Sequence, residues 1–118
     1  MLGFLFENRW LVHDEFRTGS ASPSARAVPF IKACRRRMPK GTSIARLRSD
    51  SAFYNAAVVK HCEAEGTEYV IGAAWDQAVK AAYRAIPKGG WTEFKTASGR
   101  RRETAETVHT FNKSKATF

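Results

Sequence analysis

The 118-residue sequence predicts an α/β domain with a mixed sheet. Short apolar segments typical of strands alternate with segments whose apolar residues recur at helical spacing. Their order is ββαβαβα with a β-rich end, which favours a mixed α/β sheet. The composition, 43% hydrophobic and 26% charged, is that of a globular chain. We therefore expect one domain over residues 1–118, with a basic β-rich tail from about residue 91.

The chain opens with a predicted hairpin. Leu2–Glu7 and Trp10–Arg17 have strand character, and Asn8 in the short connection tolerates the positive φ of a tight turn. The next segment, Thr18–Ser24, is rich in small residues that break regular structure, so we expect a loop there.

A helix follows this loop. Its apolar residues recur at helical spacing at Ala27, Ile31, Cys34 and Met38. Pro29 delays the helix start to about residue 28 or kinks the first turns. Pro39 and Gly41 end the helix.

The middle of the chain predicts a strand, a helix and a second strand. Ser43–Ser49 is the first strand, and a helix runs from about Phe53 to Glu65 with Gly66 as its stop. Glu68–Ala73 is the second strand.

The last third predicts one more helix and a hairpin. Asp76 can cap the helix, and Val79, Tyr83 and Ile86 form its apolar stripe. A hairpin centred near Ser98 and Gly99 can pair Trp91–Thr96 with Glu103–Thr110.

Two cysteines, Cys34 and Cys62, fall inside predicted helices and outside any metal-finger spacing. We interpret both as free buried thiols. Adjacent helix residues point about 100° apart, so His61 and Cys62 do not suggest a shared zinc ion.

The sequence also favours a cytoplasmic location without membrane contact. No uncharged apolar run approaches the ~18 residues that a membrane span requires. The N-terminus lacks a basic region, and Glu7 interrupts its short apolar stretch, so it is a poor signal peptide.

Charge is the strongest compositional signal. The chain has 20 Lys and Arg against 11 Asp and Glu, a net charge of +9. Nine basic residues lie between Glu15 and Asp50 with no acid among them. Such clustering favours nucleic acid as a partner, although a solvated basic surface gives the same pattern. The candidate DNA contacts are Arg35, Arg36, Arg37, Lys40, Arg46, Arg48, Arg100, Arg101 and Arg102.

Asp50 ends the segment SIARLRSD and is the candidate metal ligand. Strand alternation places it on one side with Ile44, Arg46 and Arg48. Ligand sites of open α/β sheets lie at the carboxyl ends of strands, where a carboxylate can hold Mg²⁺ and arginines can engage phosphates. The alternative is an aspartate that caps the following helix.

Four segments carry a resemblance to a known family. RLRSDSAFYN and CEAEGTEYVIGA, together with RWLVHDEFRTGSASPSARAVPFIKACRRRMP and ETVHTFNKSK, resemble the catalytic domain of bacterial insertion-sequence transposases of the DDE type. The resemblance implies a ribonuclease-H-like fold and metal-dependent phosphoryl transfer on DNA, with Mg²⁺ or Mn²⁺ held by an Asp-Asp-Glu triad. Asp50 matches the second residue of the triad.

The sequence departs from the family at the other two triad positions. The first aspartate of the family precedes the hairpin and the glutamate follows the last residue here, so we expect an inactive transposase fragment that binds metal weakly. Glu103 and Glu106 come too early to be the glutamate. Two alternatives stay open: a non-catalytic nucleic-acid-binding module that uses the basic residues, and a metal-dependent nuclease that uses Asp50 with Asp14.

The resemblance also implies that the first, central strand of the sheet is missing. An unpaired apolar edge invites pairing with another chain. We therefore expect either that Leu2–Glu7 pairs directly with Ser43–Ser49 or that the chain is marginally stable and self-associates.

Overall fold

A computed structural model describes residues 1–7, 9–15 and 26–111 of the chain. The strands are β1 (Leu2–Phe4), β2 (Leu11–Asp14), β3 (Arg46–Ser49), β4 (Glu68–Ile71), β5 (Thr92–Lys95) and β6 (Arg101–Thr104). The helices are α1 (Ala27–Arg37), α2 (Ala56–Glu65) and α3 (Gln77–Arg84). The predicted α/β class is confirmed.

The strands of the described residues pair only two by two. β1 and β2 are antiparallel, β3 and β4 are parallel, and β5 and β6 are antiparallel. A single ribonuclease-H-like sheet is therefore not confirmed, and the direct pairing expected between the first hairpin and β3 is not found among these residues. The chain divides into two compact units, Met1–Ala73 and Ala74–Asn112.

The first hairpin is shorter than predicted. β1 ends at Phe4, and a bulge between Gly3 and Phe4 shifts the register, so that Phe4 lies opposite Leu11. The connection is closed by hydrogen bonds from the Leu5 amide to the Trp10 carbonyl (2.9 Å) and from the Arg9 amide to the Leu5 carbonyl (2.7 Å). Arg9 takes the positive φ, 58°. Asn8 and the predicted loop Thr18–Ser24 lie outside the described residues.

Helix α1 starts at Ala27 and accommodates Pro29. Pro29 is the third helical residue, and the first N–H groups of a helix have no intrahelical partner, so its missing N–H disrupts no helical bond. The observed start agrees with the predicted start at about residue 28 to within one residue.

Helix α2 starts at Ala56 rather than near Phe53, because a different residue caps it. The buried side chain of Asn55 accepts a hydrogen bond from the Val58 amide at 2.9 Å. Ser51–Phe53 form a separate 3₁₀ helix before it. Gly66 ends α2 at φ 68°, as predicted.

The core of the Met1–Ala73 unit lies under α1 and α2. It consists of Ala27, Phe30, Ile31, Phe53, Val58 and Cys62. Ile44 and Leu47 pack against this cluster from the β3 segment. Ile44 was predicted to share a side with Arg46 and Arg48, but it precedes the first residue of the strand, so strand alternation does not apply to it.

In the Ala74–Asn112 unit, Asp76 caps α3 as predicted, since its side chain accepts from the Val79 amide at 2.9 Å. The predicted hairpin around Ser98 and Gly99 forms, and Gly99 has φ 83°. Its second strand begins at Arg101 rather than Glu103, because the Thr96 amide already donates to the Arg100 carbonyl at 2.9 Å.

No helix among the described residues is long and apolar enough to cross a membrane.

Candidate metal and nucleic-acid site

Asp50 lies at the carboxyl end of β3 with an exposed side chain. Its carboxylate Oδ1 accepts a hydrogen bond from the Ala52 amide at 3.0 Å and thereby caps the 3₁₀ helix. The capping alternative is therefore correct in part, but the helix capped is the short one and not α2. Because one carboxylate oxygen makes this bond, the cap orients an exposed side chain and does not use its second oxygen.

The end of the neighbouring strand comes very close to Asp50. Gly72 directly follows β4, and its amide donates to the Ser49 carbonyl at 3.1 Å. A Cβ atom at Gly72 would lie 3.2 Å from the Ser51 nitrogen and 3.4 Å from the Asp50 carbonyl carbon. A larger side chain would push this backbone aside, so Gly72 helps to set the position of Asp50. Sequence reasoning missed it, and the only signal was a glycine near the end of the predicted strand Glu68–Ala73.

The acidic residues of this chain do not fit a two-ion site by themselves. No group of three or more His, Cys, Asp or Glu side chains suited to a metal ion occurs in the ranges 1–7, 9–15 and 26–111. Asp14 belongs to the β1–β2 hairpin, a different sheet from that of Asp50. The nuclease alternative based on Asp50 and Asp14 gains no support.

Two arginines on β3 lie beside Asp50 along the strand. Arg46 and Arg48 are exposed, while Leu47 between them is half-buried, which agrees with the predicted alternation. The Nε atom of Arg46 lies 2.9 Å from a Glu68 carboxylate oxygen, and both side chains are more than 70% exposed. An ion pair this exposed contributes little, so a phosphate can compete for Arg46.

The basic residues at the end of α1 are all on the surface. Arg35, Arg36 and Arg37 form the last turn of the helix, and Lys40 follows it. All four are exposed. Cations at a helix C-terminus also stabilise the helix dipole, so their position fits both a structural role and a phosphate contact.

Arg100, Arg101 and Arg102 lie at the turn and in β6, all exposed. The Nε atom of Arg101 is 3.3 Å from a Glu93 carboxylate oxygen on β5. Arg102 lies opposite Phe94. These arginines thus present charge along one hairpin of the Ala74–Asn112 unit.

Sequence reasoning missed an aromatic cluster in the same unit. Tyr83 was predicted to be part of the apolar stripe of α3, and it is 51% exposed. Its ring contacts those of Trp75 and Trp91, with centroids 5.5 and 5.7 Å away. Tyr83 and Trp91 also line an open depression together with Arg101 and Arg102. The helical spacing of the apolar residues predicted a stripe on α3. It could not show that Tyr83 would contact the rings of Trp75 and Trp91 while remaining exposed.

Comparison with known proteins gives one match. A family model described as "Transposase DDE domain" matches residues 2–117. No curated protein and no solved structure matches the chain significantly.

Proposed function

We propose, since the chain belongs to the transposase DDE domain family, that Asp50 is the second of the family's three metal-binding acidic residues. Its exposed position at the carboxyl end of β3 is the observation that carries the proposal. The hydrogen bond from the Ala52 amide supports it, because this bond orients the Asp50 carboxylate. The close approach of Gly72 to the Asp50 backbone supports it as well, because it packs the end of β4 against the end of β3. When bound, the metal ions would activate water or a 3′-hydroxyl for attack on a DNA phosphate.

These 118 residues do not catalyse that reaction by themselves in our proposal. Asp50 offers one hard oxygen ligand, whereas two-ion sites need several acids around ions about 4 Å apart. Binding of Mg²⁺ or Mn²⁺ is accordingly weak. Asp50 thus contributes a single acidic residue to a site whose remaining ligands are not among the described residues.

We also propose a fold on the basis of the family membership. We retain a ribonuclease-H-like sheet lacking its first, central strand, and a single domain over residues 1–118, because the family match spans both compact units. The parallel pair β3–β4 has no third strand among the described residues. Its open edge supports self-association. The DNA partner that we propose from the family membership supports a cytoplasmic location.

The coding DNA around this reading frame tests the proposal about Asp50. The expected result is an upstream segment encoding a strand that ends in Asp and a downstream segment encoding a helix that bears Glu. The proposal would be contradicted if the flanking DNA encoded neither segment and the chain nevertheless cleaved DNA.

A second candidate is a non-catalytic nucleic-acid-binding module. The exposed rings of Trp75 and Tyr83 favour it, because aromatic side chains next to arginines can stack on unpaired bases while the arginines contact phosphates. The two candidates differ in their dependence on metal. A module binds DNA equally well with Asp50→Asn and without divalent ions. The transposase proposal instead predicts a metal-dependent DNA contact near β3 that is lost with Asp50→Asn and without divalent ions.

A further inference from the structure

A cavity of about 250 Å³, partly open to solvent, lies in the Met1–Ala73 unit, and Asp50 does not line it. Its walls come from α1, from α2 and from the segment that leads into β3. The Thr67 hydroxyl donates to the Ile44 carbonyl at 2.8 Å, and this bond joins the start of β4 to the segment before β3 at one end of the cavity. The site is therefore built by packed elements rather than by a single loop.

The floor of the cavity is apolar. Ile31 and Cys62, which are 4% and 1% exposed, line it together with Leu47. Burial raises the pKa of the Cys62 thiol, and the neighbouring Glu63 raises it further, so this part of the wall carries no charge at neutral pH. Such a surface favours the apolar part of a ligand over water.

The rim of the cavity is cationic. Lys32, Arg35 and Arg36 line it. Their spacing of three and four residues puts all three on one face of α1. None of them forms an ion pair with another residue in the described part of the chain, and Glu65 is the one acidic side chain among the lining residues.

We propose that this cavity binds a small amphipathic carboxylate, with its apolar body on the Ile31–Leu47–Cys62 floor and its carboxylate at the Lys32–Arg35–Arg36 rim. Charge complementarity selects the anion, because the lining residues include three cations and one acid. The cavity is larger than the roughly 150 Å³ that holds a benzene ring, which suits a chain or ring acid of about ten heavy atoms. This site is separate from the metal position proposed at Asp50 and does not depend on it.

Octanoate is the test ligand, and 1-octanol and octylamine are its matched controls. The three share one apolar chain and differ in the charge of the head group. Titration into the full chain, followed by backbone and methyl NMR at physiological salt, should give saturable shifts at Ile31, Leu47 and Cys62 for octanoate in the millimolar range. Octanol should bind about tenfold more weakly, and octylamine should bind least.

Variants of α1 test the rim. Arg36→Gln and Lys32→Gln should each weaken octanoate binding about fivefold or more. Arg37→Gln is the control, because Arg37 belongs to the same basic turn but does not line the cavity, and it should leave the affinity unchanged. Equal binding of octanoate and octylamine, equal weakening by Arg37→Gln and Arg36→Gln, or no saturation below about 10 mM octanoate would each overturn the proposal.

Discussion

The two compact units differ in how they use their apolar residues. In Met1–Ala73, helices α1 and α2 enclose a core that includes Phe30, Ile31 and Val58, each at most 4% exposed. In Ala74–Asn112, Ala82 is the single buried hydrophobic residue in the described part, while Trp75 and Tyr83 remain more than half exposed. The second unit therefore brings its rings together at the surface rather than in a core.

This difference assigns the two units different physical roles. Burial of apolar area is the main source of stability, so the first unit has the stronger hydrophobic contribution and holds Asp50 on a fixed strand end. The second unit depends on ring contacts, the cap of α3 and the hydrogen bonds of one hairpin. We expect it to open more readily than the first.

Truncation of one ring in each unit should give the largest contrast. Phe30→Ala removes a buried ring that lies 5.2 Å from His13 and 6.0 Å from Phe53 between centroids, and should cost about 3–5 kcal/mol of unfolding free energy. Tyr83→Ala removes a half-exposed ring and should cost about 1 kcal/mol or less. Urea titration followed by NMR signals of each unit measures both, and similar losses would contradict the contrast.

The two basic clusters should differ in DNA binding. Replacement of Arg35–Arg37 by Ala should reduce the slope of log K against log salt by about 2–3 on duplex DNA, since each phosphate contact contributes about 0.9. Replacement of Arg100–Arg102 should reduce it less, because two acids of the same hairpin, Glu93 and Glu103, offset part of the positive charge, whereas no acid lies between Arg35 and Lys40. Lys60→Ala, an exposed control on α2, should leave the slope nearly unchanged. If the DNA affinity changes neither with salt concentration nor with either replacement, both clusters are only solvated surface and do not contact DNA.

Alanine at one glycine of each unit tests the tightness of packing. A Cβ atom at Gly3 would lie 2.7 Å from the Cys34 sulfur, so Gly3→Ala should cost about 1–3 kcal/mol. A Cβ atom at Gly89 would have no neighbouring atom of the described residues within 4 Å, so Gly89→Ala should be nearly neutral. Thermal unfolding measures both variants. Adding Cys34→Ala to Gly3→Ala should recover stability, and failure to do so would place the strain elsewhere.

Alkaline pH should lower the unfolding free energy of the Met1–Ala73 unit, by less than the destabilising substitutions in that unit described above. Burial raises the pKa of Cys34 and of Cys62 above the ordinary 9.0, and Glu15 and Glu63 respectively add to it. The unfolded thiols lose their protons at lower pH than the folded ones, so stability is full below pH 9 and falls as the pH rises through 9 toward the raised values. The second unit has no cysteine. Urea unfolding at several pH values should show a fall in the unfolding free energy of the Met1–Ala73 unit. If the fall persists in the Cys34→Ala, Cys62→Ala double variant, the thiols are not its cause.

Local signals were sufficient for much of the fold. Gly66 and Asp76 mark a helix end and a helix start, because their roles depend on neighbours within four residues. The start of α2 was harder to predict, since Asp50 and Asn55 both have side chains that can cap and the sequence does not show which one opens the α-helix. Strand pairing depends on residues distant in sequence, so spacing could not show that the strands would pair two by two.

The candidate site was predictable to a similar degree. The position of Asp50 at a strand end follows from alternation and from the residues after it. The role of Gly72 and the ring cluster around Tyr83 depend on contacts between elements, which no local pattern encodes.

The most direct test of the account compares the two capping aspartates, Asp50 of the first unit and Asp76 of the second. Asn caps helices as well as Asp, so Asp50→Asn and Asp76→Asn should both keep the fold. Mn²⁺ added to the full chain should broaden amide signals around Asp50 and Gly72 at millimolar concentration, because a single exposed carboxylate binds the ion weakly. Asp50→Asn should abolish this broadening and Asp76→Asn should not. Broadening that survives Asp50→Asn, or that is equally strong around Asp76, would contradict the assignment of Asp50 as the metal-binding residue.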